Sequence, residues 1–405
     1  MSCRLDELVE FAKDFAPAVP AGIWRRRLKI IISVTAGGVL CALRVASALL
    51  LAAQEASSWG PDGHAVVAEL ADTRMSAEAR KWIYEIMGEG YRLATSASWA
   101  DSILHGNDSD SWQWSGPLHY VNVDNCEFVY SRDCQNNMCV AGAIKNYTAQ
   151  LTNTSLSAER RQEAVKFLTH FMGDVHQPLH AGRYTDLGGN TIGVAINFAN
   201  YEKTNLHKVW DEKLIDEYEE ELYPGTYVQQ DADYDMDRTQ YWSVTADEIG
   251  RDLNAGGKYA GKVASWLSKC ESLGLDVCVN EMVQESASLA CMVAYVNVDG
   301  AQVQNNGSLS MEYYNSRIET VREQLAKGAV RLAWVLDNAF DNFTTTTAAP
   351  STTSTTTPTT TGTSSDSTTP PPTSVPSTTP SSDAVTYHGR AWMLFVGILA
   401  VVATL

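Results

Sequence analysis

Positive charge is scarce in this chain: 30 Lys and Arg stand against 48 Asp and Glu, for a formal net charge of −18. Phosphate affinity without sequence preference normally comes from basic side chains, so this balance argues against nucleic-acid binding through a basic face. A polyanionic partner would have to be met by bound cations instead. The final apolar run, Ala391 to Leu405, falls short of the roughly 20 residues a membrane-spanning helix needs. No internal repeat is evident. Histidine is sparse as well, eight in 405 residues, and its placement therefore carries weight.

What is present divides the chain into four parts. Residues 1–58 read as a leader: Arg25-Arg26-Arg27-Leu28-Lys29 is a positive n-region, apolar runs follow from Ile30 to Leu43 and from Val45 to Ala53, and Ala56-Ser57-Ser58 offers the small residues signal peptidase reads. Cleavage there would make Trp59 the first residue; an uncleaved membrane anchor is the competing reading. Residues 59–343 form one globular body, long enough to bury a single large core. Residues 344–390 are dominated by Thr, Ser and Pro, which cannot build a core and read as an extended, O-glycosylated stalk. Residues 391–405, preceded by small residues at Ser381, Ser382 and Asp383 and a short polar spacer, fit a glycolipid-anchor signal, with a short transmembrane helix as the rival.

The cysteines and glycosylation signals agree on compartment. Cys3 and Cys41 fall in the leader, leaving Cys126, Cys134, Cys139, Cys270, Cys278 and Cys291 in the body. An even count beside export signals reads as disulfides, whose connectivity the sequence leaves open. Asn107, Asn146, Asn153, Asn306 and Asn342 each open an Asn-x-Ser/Thr sequon.

Periodicity in the body is mainly helical. Ile318, Val321, Leu325, Leu332 and Leu336 mark one face of a long terminal helix, and Val66, Val67 and Leu70 do the same near Trp59. Ile192, Val194, Ile196 and Phe198 alternate with period two after Gly188-Gly189, which predicts a hairpin strand. The expected fold is all-α, a single multi-helix domain with a minor β-hairpin.

Three histidines, His170, His176 and His180, lie within eleven residues. On a helix His170 and Asp174 share a face and reach one metal; Pro178 should end that helix and send His180 onto the following loop. The His-x-x-x-Asp pair recurs as His207 and Asp211. One such pair is weak, but two pairs with His180 in so histidine-poor a domain point to metal. His64, Asp101 and His119 complete the set. Imidazole and carboxylate without thiolate suit catalytic zinc, with cobalt or manganese as chemically admissible substitutes. His176 faces away from the His170 and Asp174 stripe and reads as structural.

Trp59-Gly60 with His64, Ser98-Trp99-Ala100-Asp101, Leu118-His119-Tyr120, His170 to His180, Gly188-Gly189-Asn190-Thr191-Ile192 and Thr204 to Asp211, in this order and spacing, resemble the class I zinc nucleases, the nuclease S-one and P-one family. The resemblance implies a zinc-dependent enzyme of single-stranded DNA and RNA, or of 3′-nucleotides, with three Zn2+. It implies one zinc held by Asp101, His119, His170 and Asp174, a second by His64, Asp174 and the amine and carbonyl of Trp59, and a third by His180, His207 and Asp211. A water deprotonated near neutral pH between paired zinc charges would attack phosphorus, and 5′-phosphorylated products would leave. Tyr120 is placed to stack a base and Asn190 to contact the nucleotide.

Two departures from that family bear on substrate. Leu104 and His105 stand where Arg or Lys often holds phosphate, leaving either weaker phosphate binding or His105 as a substitute at acid pH. Asn122 stands where an acidic residue often reads the base, which opens a different base preference. The resemblance also implies bridges Cys134–Cys139 and Cys126–Cys291, with Cys270–Cys278 as an additional local pair. The rival readings are a zinc phospholipase C and a non-catalytic surface module stabilised by zinc. Expected partners are the nucleic-acid substrate and, through the C-terminal anchor, a membrane; no feature points to a protein partner.

Overall fold

A computed structural model describes residues 59–106, 108–200, 202–225 and 239–347. The leader, the anchor, and the stalk beyond residue 347 lie outside the described residues, as do Asn107 and the second of the two units into which the chain divides, Pro350–Leu405. Among the described residues no helix is long and apolar enough to cross a membrane.

The body is built from α1 (Pro61–Asp72), α2 (Ala77–Met87), α3 (Trp99–His105), α4 (Val140–Leu151), α5 (Ala158–Asp174), α6 (Leu214–Leu222), α7 (Thr239–Leu253), α8 (Val263–Leu273), α9 (Leu275–Leu289) and α10 (Met311–Thr347). Local signals set their starts. Pro61 opens α1, where its missing N–H is no loss. Ser76 and Ser157 cap α2 and α5 by accepting the Ala79 and Arg160 N–H groups at 3.1 and 3.4 Å. The anticipated stripe of α10 is buried at Val321, Leu325, Leu332 and Leu336 and partly buried at Ile318. That helix packs against α1, α2 and α5, and α1 against α5 and α7, so the earliest helix of the body lies deep in the core. The last helix extends to Thr347, past the composition change at Thr344.

The β element is larger than a hairpin. Strand β1 (Gly193–Ile196) pairs antiparallel with β2 (Lys203–Asn205), Val194 opposite Thr204, and its other edge pairs in parallel with β3 (Gly307–Leu309), Val194 opposite Gly307. Gly-Ser-Leu is too short to show a period, which is why the third strand leaves no trace in the pattern. Val194, Ile196 and Phe198 are buried, as alternation requires.

Disulfides join Cys126 to Cys291, Cys134 to Cys139 and Cys270 to Cys278. They fit an oxidising, secretory route. The first ties the segment after His119 to the end of α9; the last clamps the α8–α9 corner, where Gly274 turns at φ +80°.

His176 sits one residue past the Val175 cap of α5, just beyond the helix and not within it. It is fully buried, donates Nδ1–H to the Met172 carbonyl at 2.8 Å and accepts from Arg331 at 3.2 Å. Burial and the Arg331 charge hold its pKa down at about 3. Neutral and fully hydrogen-bonded, it belongs to a structural network that Arg331 extends to Glu285 and the Trp266 carbonyl.

Candidate metal centre

Eight histidine and aspartate side chains from distant parts of the chain converge in the core, all buried: His64, Asp101, His119, His170, Asp174, His180, His207 and Asp211. His64 lies in the first turn of α1, Asp101 in the first turn of α3, and His119 ends a 3-10 segment, Gln113–His119. His170 and Asp174 close α5. His180 lies on the single 3-10 turn Pro178–Ala181 that follows the helix end. His207 lies on the short helical turn Leu206–Lys208 and Asp211 within the local widening that follows it, a π turn at Val209–Lys213, of the kind that recurs at functional sites.

Two groups form. In the first, Asp174 faces both ways: Oδ1 is 3.3 Å from His64 Nε2 and 3.4 Å from His170 Nε2, and Oδ2 is 3.1 Å from His119 Nδ1. Asp101 Oδ1 lies 3.3 Å from both His119 Nδ1 and His170 Nε2. The rings of His64 and His170 stack at 3.8 Å. In the second group, Asp211 lies 3.4 Å from His207 Nε2 and 3.7 Å from His180 Nε2. Within each of the trios His64–Asp101–His170, His119–His170–Asp174 and His180–His207–Asp211 the donor atoms fall within 4.8 Å of one another, as one ion would require. A buried acidic trio without histidine, Asp62, Asp216 and Glu219, meets the same spacing.

Hydrogen bonding shows what these donors are prepared for. His170, His180 and His207 each pair Nδ1 with a backbone carbonyl, that of Ala97 at 2.7 Å, His119 at 2.6 Å and Gly188 at 2.6 Å. Donation there fixes the tautomer and leaves the Nε2 lone pair aimed inward, the arrangement metal-ligating histidines adopt. Neither oxygen of Asp174 nor Oδ2 of Asp211 accepts a hydrogen bond. A buried carboxylate left this way is costly unless a cation meets it.

The titration shifts point the same way. Burial pulls the His170 pKa down, but Asp174 and Asp101 outweigh it and raise it to about 9. Burial pushes Asp101 up, yet His170 and His119 hold it at about 2, and Asp174 is held well below its ordinary value by the same histidines. His64, desolvated and beside His170, is lowered to about 4. Burial raises Asp211 well above the carboxylate range despite His207. In the first group the carboxylates favour a positive charge among the histidines, and in the second burial disfavours the negative charge of the aspartate. A divalent cation in either would supply that positive charge.

Two supporting residues carry no signal in the local sequence. Gln177, fully buried, donates to Asp211 Oδ1 while its own oxygen accepts the Leu179 N–H, tying the third histidine's turn to the second carboxylate. Gly173 has no room for a side chain, since a Cβ would stand 2.5 Å from His64 Nδ1. Ala for Gly in a helix ordinarily stabilises by about 1 kcal/mol. Here Gly173→Ala is expected to destabilise by about 1–3 kcal/mol through overpacking and to displace His64; a raised denaturation midpoint with unchanged activity would show that the contact is slack.

Of the remaining expected residues, Trp59 is fully buried, and the Gly60 N–H beside it donates to the Asp211 carbonyl at 2.7 Å, so the start of the body is pinned to the second group. Tyr120 and Asn122 are half-buried on the extended segment after His119. Asn190 spends its amide nitrogen on the Leu187 carbonyl at 3.0 Å. His105 is exposed at the end of α3 and belongs to none of the metal-spaced trios found among the described residues.

Fold and donor set together define a helical protein organised around buried histidine–aspartate sites of metal-binding type. The S1/P1 nuclease family model matches residues 59–341, and the chain belongs to that family. It is 34% identical to Endonuclease 2 of Arabidopsis thaliana, over 72% of this chain and 94% of that protein. Nuclease P1 of Penicillium citrinum is 34% identical over 68% of this chain and 96% of its own length, and nuclease S1 of Aspergillus oryzae 30% identical over 73% and 96%. The protein is a nuclease of a zinc-dependent family.

Proposed function

We propose that this protein hydrolyses phosphodiester bonds of single-stranded DNA and RNA, and of 3′-nucleotides, with three zinc ions, leaving 5′-phosphorylated products. The observation that carries the reading is the set of buried donors whose histidines are tied by one nitrogen to a carbonyl and face a carboxylate with the other. Asp101, His119, His170 and Asp174 would hold one ion; His64, Asp174 and the Trp59 amine and carbonyl a second; His180, His207 and Asp211 a third. Bound zinc supplies the charge that brings water's pKa toward neutrality and that steadies a departing oxygen.

The chain's own residues bind and orient around that charge. Their burial shields the site from bulk water and strengthens every interaction within it. With a net charge of −18, the protein relies on its metal sites to attract phosphate. Tyr120, next to His119, is assigned to stack a base, a contact worth roughly 1–3 kcal/mol that a duplex denies by keeping its bases paired and stacked. Asn122 and Asn190 are assigned to polar nucleotide contacts, Asn190 through its amide oxygen. Export through the 1–58 leader would free Trp59, and the 344–390 stalk with a glycolipid-anchor signal at 391–405 would display the enzyme at a cell surface.

The test is hydrolysis of single-stranded DNA, RNA, duplex DNA and phosphatidylcholine vesicles, with and without chelator. Chelator-sensitive cleavage of single strands well ahead of duplex is expected. Preferential phosphatidylcholine cleavage would move the assignment to a phospholipase, and a zinc-loaded protein inert on every substrate would leave only a structural role for the metal.

A further inference from the structure

The turn that presents the Gly188 carbonyl adopts a conformation that needs support. Leu187, Gly188 and Gly189 follow one another at φ +56°, +66° and +86°. For Leu187 the left-handed region costs roughly 1–2 kcal/mol. Such strain persists where surrounding structure over-determines it, and it gathers at functional sites.

A buried carboxylate and a buried tyrosine supply that support. One oxygen of the buried Asp186 carboxylate accepts both the Gly189 N–H at 2.8 Å and the Tyr295 hydroxyl at 2.7 Å. Tyr295, itself buried, accepts the Arg183 N–H at 3.0 Å on that hydroxyl, and the Arg183 guanidinium lies 3.8 Å from its ring centroid. The Gly188 N–H returns to the Arg183 carbonyl at 3.0 Å. Gly182 lets these parts meet: a Cβ there would stand 2.6 Å from Gly188 Cα and 2.8 Å from the Tyr295 hydroxyl. What the brace holds is the one carbonyl that accepts His207 Nδ1–H.

We propose that Asp186 and Tyr295 are positioning residues for the metal site of His180, His207 and Asp211. Through the Gly188 carbonyl they fix the tautomer and ring direction of His207, keeping Nε2 aimed beside Asp211. The inference rests on reading that trio as a zinc site. Tyr295 reaches Asp186 from 109 residues further along the chain.

The test measures zinc retained by the secreted protein at rising chelator concentration, for wild type, Tyr295→Phe, Asp186→Ala and Asp186→Asn, together with kcat and KM on single-stranded DNA. Outer-shell substitutions at metal sites cost about 10–100-fold in affinity. The expected result for Tyr295→Phe and Asp186→Ala is that one zinc of three is released at about 10–100-fold lower chelator, with kcat reduced, KM held and the helical circular dichroism unchanged. Asp186→Asn, which keeps an oxygen for both donors, is expected to retain most of the affinity. If His207→Ala leaves the zinc count of the protein unchanged, the reading of the trio as a zinc site fails. If wild type holds three ions and the Phe and Ala variants keep all three at wild-type affinity, or lose all three together with the helical signal, the positioning role fails while the zinc site stands.

Discussion

Replacing Asp174 with asparagine is expected to lower kcat/KM on single-stranded DNA by about 10³-fold, equivalent to about 4 kcal/mol of transition-state stabilisation. The size follows from the position of this one carboxylate. Its two oxygens serve opposite sides, His64 and His170 on one and His119 on the other. Asparagine keeps the shape but removes the charge, and it turns an N–H2 donor toward ring nitrogens that present lone pairs. A shared ligand lost in this way weakens two proposed ions at once. The raised thermal midpoint that added zinc confers on the wild type should shrink in parallel, since stabilisation by a ligand scales with its affinity for the folded state. An Asp174→Asn protein with wild-type turnover and an undiminished zinc-induced shift would remove Asp174 from the centre.

The second large effect is expected at the other end of the same group. A protein beginning at Trp59 should be active, and an otherwise identical protein with one extra residue before Trp59 should lose about 10²-fold or more in kcat/KM, comparable to the loss of a transition-state donor. A terminal amine offers a lone pair to a metal, whereas the amide nitrogen of a continuing chain does not. Trp59 is fully buried and its neighbour is hydrogen-bonded to the Asp211 carbonyl, so there is little freedom for an extra residue to be accommodated by sliding the segment. Mass spectrometry of the secreted protein fixes the starting residue, and turnover of the two forms decides the rest. Equal activity would show that the amine is no ligand and that leader removal serves export alone.

The legible and illegible parts of this protein separate by the range of the interaction. Helix α10 could be read because its stripe repeats every three to four residues over many turns, and the donors of both groups stood out because histidine is rare and the His-x-x-x-Asp pair occurs twice. The short parallel strand β3 could not be read, since three residues carry no period. Gln177 carries no local signal, because its amide acts on Asp211, 34 residues on. His176 lies past the cap of α5, where helical position no longer says what it faces, and its partner Arg331 lies 155 residues away.

The sequence by itself determined the helical class, the inventory of donor side chains and their likeness to a nuclease family, because composition, periodicity and residue spacing are properties of the chain that need no partner. Only the tertiary structure decided which nitrogen of each histidine faces inward, how Asp174 divides its oxygens, and that a strained turn braced by Asp186 and Tyr295 stands behind His207. These depend on backbone carbonyls, clearances and hydrogen bonds between segments far apart in the chain, and such contacts come into being only when the core closes around them.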